Sequence, residues 1–294
     1  ACVVHAGAVG SDAALVAIVV FAMPPLNAFD AQAEEWWASL PHGKRAESVN
    51  VRDTNSVRNP LSSRGIILQS LRPAAGFDHL FMADHVSFRN GSGTDGFVEV
   101  AALSQLHPSL GVMISIYLLP LRHPLPVARQ LASIANIAPG RFTFGVGIGG
   151  DDPHELEVGG VDPRKRGLRA NESLAIIRGL MAGDTVTFEG REFQVKDAVI
   201  RPKPKIPIPV LVGGRSDAAL KRAAEFSEGW IGVWCSPRRY REAIHIISDA
   251  CSEAERETPE WLHGYQPWVG VDDNPDRARV AVAKGMESFY QIPF

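Results

Sequence analysis

The sequence predicts an α/β fold built on a parallel sheet that is covered on both faces. From about residue 76 onward, short apolar runs alternate with helical patterns, and caps or prolines announce the helices. Strands alternating with helices imply parallel pairing through right-handed crossovers. The strand runs are apolar almost without a break, as in sheets buried on two sides. A (β/α)8 barrel and an open doubly wound sheet both satisfy this pattern, and 294 residues are enough for one large domain or two.

In chain order, Leu80–Ala83 runs into Asp84 and His85. Val112–Tyr117 runs into Pro120 and Arg122-His123-Pro124, then a helix carrying Val127, Leu131 and Ile134. Phe142–Val146 leads to Gly147, Gly149 and Gly150. Val210–Val212 leads to Gly213-Gly214, Trp230–Val233 to Trp234-Cys235-Ser236-Pro237, and Trp268–Val271 to Asp272-Asp273-Asn274-Pro275. Ser236-Pro237 and Asn274-Pro275 read as an N-cap followed by a first-turn proline, whose missing N–H costs nothing there. Behind them, Tyr240, Ile244, Ile247 and Cys251, and then Ala278, Val282 and Met286, recur at helical spacing.

One stretch breaks the rhythm. Asp162-Pro163 opens a long helix ending near Gly183, a hairpin follows over Thr185–Phe188 and Phe193–Val195, and residues 201–209 are too rich in proline for regular structure. Residues of about 151–208 therefore read as an insertion covering one end of the sheet. The first 63 residues read as a separate, atypical segment. Leu15–Phe21 is its candidate strand, Asp30–Leu40 a short helix, and 41–63 irregular chain.

Composition excludes several classes. A net charge of -3 offers no basic face for nucleic acid. Cys2, Cys235 and Cys251 are too scattered for a disulfide framework or a zinc site, which suits a reducing, cytoplasmic setting. No cation precedes Leu15–Phe21, so it lacks the charged start of a signal peptide, and it is too short to span a bilayer. Asp151, Asp152, His154 and Glu155 form an acidic loop with no second histidine at ligand spacing, read as solvated and metal-free. No His-x-His or paired carboxylate set at strand ends supports a metal-dependent hydrolase.

The most informative stretch is Pro209–Asp217. An apolar strand ends in Gly213-Gly214, and Ser216 caps the helix carrying Leu220, Ala223 and Phe226. Glycines admit a ligand close to the backbone, and the first helical N–H groups point back at it, which makes an anion pocket. Arg215 adds a positive charge. An ordinary strand-to-helix turn explains the same residues, and the glycine pattern alone does not separate the two readings.

Taken in order, the segments Gly76-Phe-Asp-His-Leu-Phe-Met-Ala-Asp84-His85, Tyr117–Pro124, Pro139–Gly147, Pro163–Arg169 with Asn171-Glu172, Phe188–Gly190, Pro202–Gly214, Gly229–Gly232 and the Trp268 strand resemble the bacterial luciferase-like monooxygenases. The likeness covers about residues 64–294, taken here as the barrel domain. It implies a TIM (β/α)8-type barrel with the ligand at the C-terminal ends of the strands. It implies reduced FMN, or in some branches a deazaflavin coenzyme, acting on a small organic substrate. FMN and oxygen make a monooxygenase, with a separate flavin reductase as the source of electrons. The deazaflavin version transfers a hydride. A homodimer is also expected.

Under this resemblance Asp84 and His85 are the catalytic candidates, and Gly147, Gly149, Arg169, Gly213, Gly214, Arg215 and Ser216 the cofactor-binding ones. Glu172 is expected to pair with Arg169 at i, i+3. Arg122-His123 serves either the cofactor or the anchoring of its loop, Trp230 belongs to the core, and Trp234 walls an apolar pocket at the rim. The Pro-Trp that closely follows Asp-His in deazaflavin-dependent sugar-phosphate dehydrogenases is replaced here by Ser87, Phe88 and Arg89. The family's first strand is not recognisable, and its eighth has no counterpart before Phe294. The barrel is thus expected to be incomplete, with Leu15–Phe21 as the candidate to fill the gap. A non-catalytic flavin-binding relative is the rival reading.

Overall fold

The computed structural model describes residues 2–8, 15–22 and 79–290, except 90, 106, 107, 151 and 273. The helix expected at Asp30–Leu40, the irregular chain at 41–63 and Asp151 lie outside the described residues. The strands are β1 (Cys2–Ala8), β2 (Leu15–Ala22), β3 (His79–Met82), β4 (His85–Phe88), β5 (Ser92–Thr94), β6 (Gly111–Leu118), β7 (Phe142–Gly147), β8 (Val186–Glu189), β9 (Gln194–Ala198), β10 (Val210–Gly213), β11 (Gly229–Val233), β12 (Gly264–Gln266) and β13 (Trp268–Val271).

One curled sheet carries the fold, in the order β1-β3-β6-β7-β10-β11-β12-β2-β13. From β1 through β12 every neighbouring pair is parallel. The C-terminal ends of these strands therefore share one rim. Among the described residues there is no eighth parallel strand. Its place is taken by β2, which runs antiparallel to β12 and β13 on one side and to β1 on the other. The edges that an absent strand leaves open are thereby paired, and unpaired edges invite association.

The sequence reading took Trp268–Val271 as the next parallel strand after Trp230–Val233. The parallel ladder instead continues through Gly264–Gln266, and Trp268–Val271 turns away to β2. Pro267 stands at the break, where it has no N–H to give to a ladder.

Strand alternation divides the apolar residues into two cores. Phe81, Met113, Leu211 and Ile231, from β3, β6, β10 and β11, form the cluster inside the barrel. Leu80, Met82, Val112, Ile114, Phe142, Phe144, Val146, Val210, Val212 and Trp230 belong to the larger cluster under the helices. The same alternation points Thr143, Gly145 and Gly147 inward. A Cβ on Gly145 would collide with the Ile114 carbonyl oxygen, so the barrel wall has no room for one.

Helices Gly96–Ser104, Pro124–Ile137, Asp217–Phe226, Pro237–Glu253 and Pro275–Tyr290 cover the outside. Ser236 accepts the Arg239 N–H and Asn274 accepts the Asp276 N–H, as caps should. Tyr240, Ile244, Ile247 and Cys251 are buried, as their spacing predicts.

In the insertion, helix Arg166–Ala182 ends at Gly183 in the left-handed conformation, φ 93°, and the β8–β9 hairpin follows. The Arg169–Glu172 pair expected from spacing does not form. The buried Glu172 carboxylate instead accepts the N–H groups of Arg191, Glu192 and Phe193 at 2.8, 3.0 and 3.0 Å. Those turn amides need an acceptor, and a carboxylate on the helix above them supplies one.

Near the opposite, N-terminal end of the barrel, His263 is buried just before β12. Its Nδ1 accepts the Trp230 N–H at 3.1 Å, and its ring stacks on Trp261 at 5.0 Å. Its buried Nε2 has no partner among the described residues. Desolvation pushes its pKa down to about 4. The folded chain thus holds His263 neutral while the unfolded chain protonates it near pH 6.5. Its contribution is complete above pH 6.5 and is lost as pH falls from there to about 4. Urea unfolding at pH 7 and pH 4 should show a loss about 3 kcal/mol larger for the native chain than for His263→Asn.

Candidate active site

Asp84 stands two residues beyond β3 and is 1 % exposed. Its carboxylate accepts the Gly96 N–H at 3.1 Å, the Leu118 N–H at 3.0 Å and both terminal nitrogens of Arg122 at 2.6 and 2.8 Å. Burial raises the Asp84 pKa, while the Arg122 charge and the two amides act against that rise. The carboxylate ties the end of β3 to the end of β6 and to the first turn of helix Gly96–Ser104. Gly96 permits the approach, since its Cβ would press on Ile114 and Asp84. With its oxygens so engaged, Asp84 positions its neighbours.

His85 follows at the rim, 22 % exposed at its side chain. Its Nδ1 lies 2.9 Å from Glu155 Oε2. Glu155 Oε1 accepts the N–H groups of Val86 and Ser87 at 2.6 and 3.1 Å. A carboxylate only accepts, so this contact places a proton on Nδ1 and leaves Nε2 as the working nitrogen. Phe88 flanks the ring at 4.4 Å.

Glu155 was read from sequence as part of a solvated loop. The structure buries it to 3 % exposure, because the amides after His85 turn toward it. Asp152 accepts the N–H groups of Arg89 and His154. Among the described residues no cluster of His, Cys, Asp and Glu could hold a metal ion.

Gly213 ends β10 on the same rim. Gly214 has φ +128°, a conformation that favours glycine, and its carbonyl accepts the indole N–H of buried Trp230 at 2.7 Å. Arg215 and Ser216 are exposed, and Ser216 Oγ accepts the Ala219 N–H at 3.3 Å as the helix cap. Gly147 and Gly213 both face Ile116, whose Cδ1 would collide with a Cβ on Gly213. Gly149 takes φ +70°, and a Cβ on Gly150 would meet open space. A narrow crevice between β7, β10 and helix Arg166–Ala182 is lined by Gly147, Ile148, Ala170, Leu174, Gly213 and Arg222.

The remaining candidates divide between rim and scaffold. Arg169 donates to the Pro120 carbonyl at 3.0 Å, pairs with Glu192 at 3.3 Å and lies over the Phe193 ring. It joins the insertion to the turn after β6. His123 caps its helix by accepting the Leu125 N–H. Tyr117 is buried in the outer core against Phe97. Trp234 takes φ +53° at the rim, and Tyr290 approaches its ring at 4.1 Å. Burial raises the thiol pKa of the adjacent Cys235, which argues against a thiolate nucleophile.

These residues fit a cofactor with an anionic tail and a flat ring. The helix N-terminus, the Ser216 hydroxyl and Arg215 would be the donors for such a tail, and at Gly147 and Gly213 the nearest side chain is that of Ile116. Glu155 and Tyr290 were missed as members of this site, and Arg122 takes the anchoring role of its two expected ones, on Asp84. The capping pattern Asp152-Pro153 before Glu155 was the available signal for the first.

The luciferase-like monooxygenase model matches residues 73–292, and the chain belongs to that family. A Mycobacterium tuberculosis protein of uncharacterized activity is 36 % identical over 167 residues, 57 % of each chain. An F420-dependent glucose-6-phosphate dehydrogenase of Beutenbergia cavernae is 33 % identical over 226 residues, covering 72 % of this chain and 65 % of that one. The chain thus spans roughly three fifths of the length of these relatives. Among solved structures, a monooxygenase from Streptomyces bottropensis superposes with a TM-score of 0.61 at 23 % identity, over 69 % of this chain and 63 % of that one. An F420-dependent secondary alcohol dehydrogenase gives 0.60 at 23 %, over 68 % and 62 %. These two similarities establish the fold.

Removing Arg122 leaves a buried carboxylate without its charge partner, and such losses cost about 3–5 kcal/mol. Arg122→Leu should lower the urea midpoint accordingly, and adding Asp84→Leu should recover part of that loss.

Proposed function

We propose that the chain is an oxidoreductase that binds a flavin-type cofactor across the barrel mouth and acts on a small organic molecule. The observation that carries this reading is the placement of the His85–Glu155 pair on the same rim as the Gly213–Ser216 helix start. When bound, such a cofactor supplies the two-electron chemistry. The chain supplies anion binding through Arg215, Ser216 and the helix amides, a flat floor at Ile116, and a proton acceptor at His85 Nε2. Glu155 fixes the tautomer and stabilises the imidazolium that forms when Nε2 takes a proton.

The relatives named for F420 favour the deazaflavin version, in which His85 takes the proton released as the substrate gives up a hydride. The family description favours the second reading, reduced FMN with oxygen, which was the first expectation from sequence.

Titrating the protein into FMN and into F420 while following fluorescence quenching tests the assignment. One of the two should bind in the micromolar range, and binding of neither defeats the proposal. With the bound cofactor and its substrate, His85→Asn should lower kcat by about 10²–10⁴-fold. Glu155→Gln should lower kcat less, since the imidazolium that forms at His85 loses its anionic partner.

A further inference from the structure

Tyr290, at the end of helix Pro275–Tyr290, lies across the mouth. Its carbonyl oxygen accepts a hydrogen bond from Arg89 Nη2 at 3.0 Å. Its ring meets Trp234 edge-on at 4.1 Å and Trp268 at 5.9 Å. Arg89 in turn lies over Phe88 at 4.8 Å, and Phe88 packs on His85. A continuous run of contacts thus leads from His85 through Phe88, Arg89 and Tyr290 to Trp234, where Arg215 sits over the ring at 5.5 Å.

The Arg89 guanidinium is incompletely used. Its Nε is buried and has no hydrogen-bond partner among the described residues. Other arginines near the rim have carboxylates, Arg122 with Asp84 and Arg239 with Asp217. Asp152 lies beside Arg89, but its oxygens accept the backbone N–H groups of Arg89 and His154. Tyr290 offers an aromatic ring to Trp234 and one oxygen to Arg89. A carboxylate offers two oxygens in the spacing of a guanidinium edge, enough for Nη2 and Nε together.

We propose that Tyr290 occupies the substrate position, and that the substrate is a planar aromatic carboxylate with its acid group on Arg89 and its ring against Trp234. This rests on the reading of the mouth as an active site. Bound in this way, the ring takes the place of the Tyr290 ring against Trp234, and Tyr290 must swing away to admit it.

Calorimetric titration of the full chain with 2-naphthoate and with 2-naphthamide, both with and without flavin, tests the inference. Naphthoate should bind about tenfold or more tightly than the amide, the worth of a hydrogen-bonded charge. Arg89→Gln should abolish that preference and Arg89→Lys should keep part of it. Tyr290→Ala should tighten naphthoate binding several-fold by clearing the ring from Trp234, while the backbone carbonyl at position 290 stays. Equal affinities, no binding of either compound to native and Tyr290→Ala protein, or a preference that survives in Arg89→Gln would each overturn it. The flavin titration is read separately. Flavin binding without naphthoate selectivity sinks this inference alone, and naphthoate selectivity without flavin binding sinks the functional reading alone.

Discussion

The bidentate pair between Asp84 and Arg122 is the constraint on which the rim depends. A buried carboxylate at the end of a strand is tolerable only when every oxygen is matched, and here amides and guanidinium nitrogens do so. The same bonds fix β3 against β6, bring the first turn of helix Gly96–Ser104 onto the strand ends, and set where the chain must go next. His85 is the next residue. Its direction is then closed from the other side by Glu155, which reaches it from the helix after β7. Segments far apart in sequence thus converge on one imidazole, and each is held by carboxylates saturated with donors.

Much of this was legible in the chain. Apolar runs ending in Asp84-His85, Gly147 and Gly213-Gly214 announced strands with functional ends, and the caps at Ser216, Ser236 and Asn274 fell where the helices begin. Other features were hidden for physical reasons. Gly264–Gln266 is short and half polar, so periodicity passed over it, and the proline behind it gave the longer Trp268 run the look of the true strand. Strand direction leaves no trace in side-chain alternation, so β2 read as a strand without showing that it runs antiparallel. Glu155 sits in an acidic run that looks solvated, and its burial depends on amides some seventy residues upstream. Glu172 has the right spacing for Arg169, but the amides of the hairpin turn outcompete one partly solvated guanidinium.

The floor of the mouth is shaped by what is missing from it. Where most strands of the sheet send bulky side chains inward, β7 and β10 end in glycines, and Ile116 from β6 takes the space they free. The turn at Gly214–Ser216, proposed above to bind the anionic tail, stands at one flank of this floor and His85 at another.

Arg222 gives this architecture a mechanical side. Buried in helix Asp217–Phe226, it donates through Nε to Asn171 Oδ1 at 2.5 Å and through Nη2 to the Gly167 carbonyl at 3.2 Å. Both acceptors belong to the inserted helix, which also carries Glu172 and, through it, the hairpin. Helix, insertion and hairpin are therefore braced together. A displacement of the hairpin is thereby coupled to the helix that starts at Ser216.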